Sequence, residues 1–225
     1  MITPRFKYVP LTRESIDGRR YYNCPGNQKL PSVTTILEST KTTSEKESLE
    51  NWRKRVGHER ANQITTEAAG RGTRQGKFLE TYILTDDTGK PGSNPHSILA
   101  HKMAKVIIEN GLSKVHEFYG TESGLWYDGM YAGSTDCIAM IDDEIVIIDF
   151  KQSNKLKKDI YLNSYKCQLV AYAESHNKMF GTEISRGIDM ICTPDLQYQE
   201  IEISGDEYKK YQEMWWEKVV KYDSR

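Results

Sequence analysis

The chain of 225 residues lacks several features that would assign it to a protein class at once. Its four cysteines are scattered and include no Cys-x-x-Cys pair, which argues against a zinc knuckle and against a disulfide framework. It has no apolar run of about 18 residues and no basic-then-apolar N-terminus, so we expect neither a membrane span nor a secretory signal. These absences favour a cytoplasmic protein with free thiols.

The chain also lacks an excess of charge of one sign. Its formal net charge is −1, whereas a strongly basic balance is typical of many nucleic-acid-binding proteins. Any contact with a polyanion therefore has to come from local clusters of Lys and Arg. The composition alone identifies no partner.

The hydrophobic pattern predicts helices first and strands later. We expect an N-terminal hairpin turning at Pro25-Gly26, a helix capped by Ser44 and Glu47 that runs to about residue 66, and further helices over 72–84 and 96–110. A three-stranded meander over 115–151 follows, with turns at Ser123-Gly124 and Asp142-Asp143. The remaining elements are a helix over 161–177, strands over 188–193 and 197–203, and a helix over 206–221.

This order predicts an α+β fold with a mixed central sheet rather than a doubly wound one. We expect one domain over residues 1–225. It divides into an N-terminal hairpin and helical segment (1–70), a core (71–203) and a C-terminal helix (204–225).

Two acids and a lysine come together in the last hairpin of the meander. If its strands pair through a two-residue turn at Asp142-Asp143, then Asp136 lies opposite Asp149, with Cβ atoms roughly 5 Å apart. Lys151 shares their face because side chains alternate along a strand. Two carboxylates this close repel each other, and a shared proton or a bound hard cation relieves the repulsion.

The alternative is an ordinary ion pair between Asp149 and Lys151 at a sheet edge. A second acid-x-Lys tripeptide, Glu207-Tyr208-Lys209, lies in a charged segment that we interpret as the surface of a helix. Asp149 differs because it ends the continuous β-branched run 145–148, which is typical of a strand buried on both faces. From the residues alone, a metal site and a structural ion pair both remain open.

Four short motifs in one order carry a family resemblance: Arg71-Gly72-Thr73 with Glu80, Gly133 to Asp136, Asp149 to Lys151, and Gln168 to Tyr172. With them the chain resembles the PD-(D/E)XK nuclease superfamily. Within it, the chain is similar to the RecB-like exonucleases, the group of the mitochondrial genome maintenance exonuclease and its phage relatives. The resemblance spans residues 20–193 and implies a restriction-endonuclease-like core, an antiparallel hairpin flanked by helices, and an N-terminal helical segment.

The resemblance implies which residues form the site. It implies a Mg²⁺ or Mn²⁺ ion held by Glu80, Asp136, Asp149 and the backbone carbonyl of Phe150. It further implies catalytic roles for Glu80, Asp136, Asp149, Lys151 and Gln168, with Lys151 orienting or deprotonating the attacking water. The chain departs from the family at Gly76, where these enzymes usually have a histidine ligand.

The expected partner is DNA, single-stranded or with a free end, and no membrane. The residues expected to contact it are Arg71, Thr73, Ser153, Lys155, Tyr165 and Tyr172. The resemblance thus implies a metal-dependent DNA exonuclease that prefers single strands and serves phage recombination, replication or degradation of DNA in the host cytoplasm. The alternatives are a catalytically weakened nucleic-acid-binding module with the same fold, and an unrelated α+β domain whose acidic hairpin is structural.

Overall fold

The computed structural model describes residues 1–224, which begin with a small antiparallel sheet. Its strands are β1 (Thr12–Ile16), β2 (Arg19–Cys24) and β3 (Gln28–Pro31). The β1–β2 turn has positive φ at Asp17 (51°) and Gly18 (73°), the conformation that matches the twist of a tight hairpin. The sequence predicted the β2–β3 hairpin but missed β1, because β1 buries neither face and shows no apolar alternation.

Four helices follow the small sheet: α1 (Val33–Ser39), α2 (Thr43–Val56), α3 (His58–Thr85) and α4 (Pro95–Asn110). The predicted helix from Ser44 to about residue 66 is wrong, because the backbone breaks at Gly57, whose φ of 86° is strained for other residues. The helix predicted from Gly72 instead begins at His58. The expected division at residue 71 therefore falls inside a continuous helix.

The predicted cap of the second helix is also wrong. The Thr42 hydroxyl accepts a hydrogen bond from the Glu45 amide at 3.2 Å, and the Glu45 carboxylate accepts one from the Thr42 amide at 2.7 Å. This is a capping box like the one expected at Ser44 and Glu47, placed two residues earlier. It forms there because the backbone of Thr42 is still extended, with ψ of 161°.

The central sheet has five strands in chain order, and it confirms the predicted α+β class with a mixed sheet. The β6–β7 pair is parallel and the other pairs are antiparallel. A parallel pair needs a crossover connection, which the helix between these two strands supplies. The elements are β4 (Glu117–Tyr127), β5 (Tyr131–Ile141), β6 (Glu144–Gln152), α5 (Asn163–Phe180), β7 (Gly187–Cys192), β8 (Tyr198–Ile203) and α6 (Gly205–Asp223), with short 3-10 turns at Leu112–Lys114 and Asp159–Tyr161.

The predicted turn at Ser123-Gly124 is wrong, because both residues are buried inside β4. A Cβ on Gly124 would lie 2.7 Å from the Val9 carbonyl oxygen and 2.7 Å from Leu11 Cγ. Gly124 therefore permits the close approach of the N-terminal segment and does not mark a turn. The chain reverses between Tyr127 and Tyr131 instead.

Helices cover both faces of the central sheet. Ile147 of β6 packs in the cluster that contains α5 and α6, whereas Val146 and Ile148 pack against α3 and α4. This two-sided burial explains the continuous apolar run that the sequence showed. Trp215 of α6 is fully buried, as expected of a core anchor, and the four cysteines are buried free thiols.

Among residues 1–224, no helix combines the length and apolar character needed to cross a membrane.

We predict that His176 makes stability depend on pH. Its buried ring contacts the hydroxyls of Tyr8 (3.0 Å) and Thr182 (2.8 Å), and burial lowers its pKa to about 4. As pH falls, His176 therefore binds a proton in the unfolded chain at a higher pH than in the folded chain. The contribution of the neutral His176 ring to the free energy of unfolding is present above about pH 6.5 and is lost as pH falls towards 4. The loss should reach about 3 kcal/mol.

Urea unfolding of His176→Gln and of wild type between pH 4 and 7 measures this effect. It is the difference between the two proteins in the slope of the free energy of unfolding against pH. His58→Gln, at an exposed position, is the control and should keep the wild-type slope. Equal slopes for wild type and His176→Gln would contradict the assignment.

Candidate active site

The β5–β6 hairpin brings Asp136 and Asp149 together in the predicted register. Its paired residues run from Ile141 opposite Glu144 to Cys137 opposite Ile148, so the aspartates follow as the next opposed pair. Asp142 and Asp143 both have positive φ, which is the geometry of a two-residue hairpin turn. The Asp136 Oδ2 atom accepts a hydrogen bond of 2.7 Å from the amide of Phe150, which fixes that carboxylate against β6.

Lys151 lies in direct contact with the acid pair. Its ammonium group forms an ion pair with Asp149 Oδ2 and donates a hydrogen bond of 2.9 Å to Gln168 Oε1. The same Nζ atom lies 5.3 Å from the ring centroid of Tyr165. Burial opposes the charge of Lys151, but the carboxylates of Asp149, Asp189 and Asp136 outweigh it and raise the pKa. Lys151 is therefore a cation here.

Helix α5 supplies the second wall of the site through Gln168 and Tyr172, which lie one turn apart. The Gln168 amide donates to Asp149 Oδ1 at 3.2 Å and to the Tyr172 hydroxyl at 3.0 Å, while its carbonyl oxygen accepts from Lys151. Every polar atom of the Gln168 side chain thus has a partner. This closed network holds both Asp149 and Lys151 in one orientation.

The acid pair is under electrostatic strain. Burial first, and the neighbouring Asp149 carboxylate second, raise the pKa of Asp136 well above its ordinary value. A divalent cation would relieve this strain, because carboxylate oxygens are the ligands that Mg²⁺ and Mn²⁺ prefer. The donor chemistry of Asp136 and Asp149 therefore fits a hard metal ion, although no three His, Cys, Asp or Glu side chains of residues 1–224 converge on one point.

Glu80 was expected as a third ligand, and the structure does not bring it into the cavity with the aspartates. The Glu80 carboxylate pairs with Lys77 at 3.0 Å along α3, and its side chain is 25% exposed. The helical periodicity of the sequence indicates which face of α3 carries Glu80, but it does not indicate how far Glu80 lies from the sheet. Its charge still acts towards the site, because Glu80 raises the pKa of Glu122.

Glu122 is a site residue that the sequence interpretation missed. It lies in β4 with φ of 47°, lines the same cavity as Asp136 and Asp149, and accepts a hydrogen bond of 3.2 Å from Ser134. Although Glu122 is partly exposed, desolvation of its carboxylate, together with Glu80 and Asp149, raises its pKa. The adjoining Ser-Gly pair, read as a turn, obscured its position in a strand.

Asp189 is a second missed acid, at the centre of β7. It pairs directly with Asp149 in the parallel register and is fully buried. Neither of its carboxylate oxygens has a hydrogen-bond partner among residues 1–224. Burial and the Asp149 charge raise its pKa to about 8, against the opposing effect of Lys151. A charged residue inside the apolar strand 188–192 was the available signal.

The residues expected to contact DNA lie in different settings. Arg71 is half-buried and donates to Gln152 (2.9 Å) and to Asn154, which ties α3 to the end of β6. Tyr165 is half-buried beside Lys151. Thr73 and Lys155 are exposed.

Two of the residues expected to contact DNA are buried, and one of them, Tyr172, lines the candidate cavity. Tyr172 is 4% exposed and Ser153 is 6% exposed, so neither presents an open surface. The Ser153 hydroxyl donates to the Lys155 carbonyl at 2.6 Å, and the Tyr172 ring packs under Gly133. Both side chains support the local structure in this conformation.

The site opens into a cavity of about 240 Å³ between the central sheet, α5 and the N-terminal sheet. Its floor carries the acids and Lys151. Another wall carries two arginines, Arg13 of β1 and Arg20 of β2. Acidic and basic side chains thus line one opening.

Comparison with known proteins confirms the resemblance that the motifs indicated. The chain is 26% identical over 196 residues to mitochondrial genome maintenance exonuclease 1 of Mus musculus, covering 83% of this chain and 52% of the relative. It is 25% identical over 174 residues to the protein of that name from Homo sapiens, covering 74% and 50%. The chain thus spans about half the length of the curated relatives it matches. No family model matches.

Solved structures resemble the chain more distantly. A candidate exonuclease from Eubacterium rectale has a TM-score of 0.45 at 14% identity, covering 64% of this chain and 63% of that one. An alkaline exonuclease from Laribacter hongkongensis has a TM-score of 0.28 at 13% identity, covering 70% and 93%. These likenesses are too distant to assign an activity.

We predict that Gly133→Ala destabilises the protein. A Cβ at residue 133 would lie 2.6 Å from Cε1 of the buried Tyr172 ring. Because this ring cannot swing into solvent, we expect a loss of about 1–3 kcal/mol in the free energy of unfolding. Urea unfolding of Gly133→Ala and of wild type measures this loss of stability.

Gly76→Ala is the matched control. A Cβ at Gly76, inside α3, meets nothing within 4 Å, so this change should raise stability by up to about 1 kcal/mol. A wild-type urea midpoint for Gly133→Ala would contradict the packing described for Tyr172.

Proposed function

We propose that this chain is a metal-dependent deoxyribonuclease acting as a single domain over residues 1–225. We infer an exonuclease that hydrolyses phosphodiester bonds, prefers single strands, and serves phage DNA recombination, replication or degradation. The observation that carries the proposal is the closed network of Asp149, Lys151 and Gln168 beside Asp136, at the floor of an open cavity. The exonuclease names of the curated relatives support it.

In this proposal Asp136, Asp149 and the carbonyl oxygen of Phe150 hold Mg²⁺ or Mn²⁺. A bound divalent ion lowers the pKa of its water and neutralises charge at the reacting phosphate. The strained acid pair supports this role, because binding a cation removes the repulsion that raises the pKa of Asp136. A role limited to packing would not require two opposed carboxylates at an opening.

Lys151 acts as a positioned cation in this mechanism. The neighbouring carboxylates keep its amine protonated, so its first role is to offset negative charge that develops on the phosphate and to orient the attacking water. Gln168 restrains the lysine, because its carbonyl oxygen accepts from the ammonium group while its amide donates to Asp149. We propose that Arg71, Thr73, Lys155 and Tyr165 contact the DNA around this centre.

The second candidate is a nucleic-acid-binding module with little hydrolytic activity. It is favoured by Gly76 in place of the family histidine and by the absence of Glu80 from the residues that line the cavity. Incubation of end-labelled single-stranded DNA with Mg²⁺, with Mn²⁺ and with EDTA separates the two. Degradation only with metal supports the exonuclease, whereas binding without degradation supports the module.

We predict that Lys151→Ala lowers the rate of DNA hydrolysis by about 10²–10³-fold, as expected when a positioned transition-state cation is removed. Lys209→Ala is the matched control, because Lys209 belongs to the other acid-x-Lys tripeptide and is exposed on α6. It should hydrolyse DNA at the wild-type rate. The site assignment fails if both variants retain full activity.

We also predict that Glu122→Gln weakens metal binding more than Glu80→Gln does, since Glu122 lines the cavity and Glu80 pairs with Lys77. Loss of a supporting acid should weaken affinity by about 10–100-fold. Isothermal titration calorimetry with Mn²⁺ and the DNA-free protein measures the metal affinity independently of activity. A larger effect of Glu80→Gln would restore Glu80 as the third ligand.

A further inference from the structure

A second and larger cavity adjoins the candidate site. It measures about 690 Å³ and lies between the β1–β2 hairpin and α1. Arg13, Arg20 and Thr34 line both this cavity and the smaller one that contains the aspartates. The two spaces therefore meet at the arginines, and a ligand reaching the aspartates from this side passes them.

The register of the small sheet places the two arginines on one face. Arg13 lies opposite Tyr22, and Ser15 lies opposite Arg20, so all four side chains share a face. That face is directed towards the body of the protein, because Tyr22 is buried there against Leu30 and Ala132. Arg13 and Arg20 therefore lie on the face that borders the cavity with the aspartates, although both side chains are exposed.

Both guanidinium groups lack an acidic partner. Within residues 1–224, no carboxylate lies within 4.0 Å of the side-chain nitrogens of Arg13 or Arg20. The nearby acids are engaged elsewhere, since Glu14 pairs with Lys29 at 2.8 Å and Glu38 pairs with Lys41. The Arg20 side chain hydrogen-bonds Tyr22, which is a neutral partner. Two arginines without an acidic partner beside a strained acid cluster leave positive charge available for an anionic ligand.

The backbone beneath Arg20 is held in place. The Thr35 hydroxyl accepts from the Arg20 amide at 3.0 Å and donates to the Arg20 carbonyl at 2.9 Å. The Ser32 amide also donates to that carbonyl at 2.9 Å, and Ser32 forms a bridge to Ala132 of β5. These contacts fix the distance between the arginine wall and the strand that carries Asp136.

We propose that Arg13 and Arg20 form a phosphate clamp that binds the backbone of one DNA strand next to the phosphate at Asp136 and Asp149. Arginine suits this task because its planar fork donates two parallel hydrogen bonds to a phosphate. The cavity volume lies in the range of sites that enclose small ligands, so it can hold a short stretch of one strand. The clamp rests on the proposed nuclease function and deepens it.

Binding without hydrolysis tests the clamp. Fluorescence anisotropy with a labelled single-stranded oligonucleotide in EDTA measures affinity for wild type, Arg13→Gln and Arg20→Gln as a function of salt. Each variant should bind about tenfold more weakly, the loss expected for a charge-assisted hydrogen bond. Each should also lower the slope of log affinity against log salt by about 0.7.

Lys209→Gln is the matched control, because it removes one exposed positive charge from α6 at a residue that lines neither cavity. It should bind DNA as wild type does. Wild-type affinity for both arginine variants, or equal losses for Lys209→Gln, would overturn the clamp. An unlabelled duplex that competes as well as the single strand would overturn the single-strand assignment.

Hydrolysis is measured separately with Mg²⁺ or Mn²⁺. If the arginine variants lose affinity while wild type degrades no DNA, the clamp stands and the nuclease proposal fails. If wild type degrades DNA and the arginine variants keep wild-type affinity, the nuclease stands and the clamp fails. Thermal unfolding of each variant verifies that the exposed substitutions leave the fold intact.

Discussion

Three buried or half-buried acids on neighbouring strands share one cation. Asp136, Asp149 and Asp189 lie on β5, β6 and β7, and the ammonium group of Lys151 acts on all three. Burial, together with the repulsion from Asp149, raises the pKa of Asp136 and of Asp189, so the sheet can bury them only by holding protons or gaining positive charge. Helix α5 contributes to this charge balance, because its Gln168 hydrogen-bonds both Lys151 and Asp149 and so holds the lysine beside the acids.

The same constraint relates the site to the rest of the fold. A sheet that concentrates negative charge requires compensation from outside it, and the N-terminal sheet faces it with Arg13 and Arg20. In the proposed function, a DNA phosphate is negative as well, so cations on the opposite wall and a divalent ion at the acids would both favour its approach. The arginine wall and the acidic floor are thus complementary parts of one electrostatic arrangement.

The parts of the site that were predictable from sequence were those set by local pairing. The hairpin from Tyr131 to Lys151 follows from alternation and a two-residue turn, so its register places Asp136 beside Asp149. Asp189 meets them only after the crossover through α5, and no local pattern encodes that pairing. Glu122 was missed because Ser123-Gly124 looked like a turn, whereas Gly124 serves close packing of the N-terminal segment.

The helical errors have the same origin. Periodicity located the apolar face of α3, yet it could not fix how far Glu80 lies from the sheet, because that distance depends on packing between elements. The start of α3 at His58 depends on one backbone angle at Gly57. The fold class and the mixed central sheet, which depend on the sum of many local preferences, were predicted correctly.

The tight β5–β6 turn also bears on the order of folding. Asp136 and Asp149 are joined by a short hairpin, so their strands can pair early, whereas contact with Gln168 and Asp189 requires closure of a longer crossover loop. Until that closure, the acids are solvated and their repulsion is weak. We therefore expect the strain of the acid cluster to develop in the last stages of folding, when α5 docks and delivers Gln168 to Lys151.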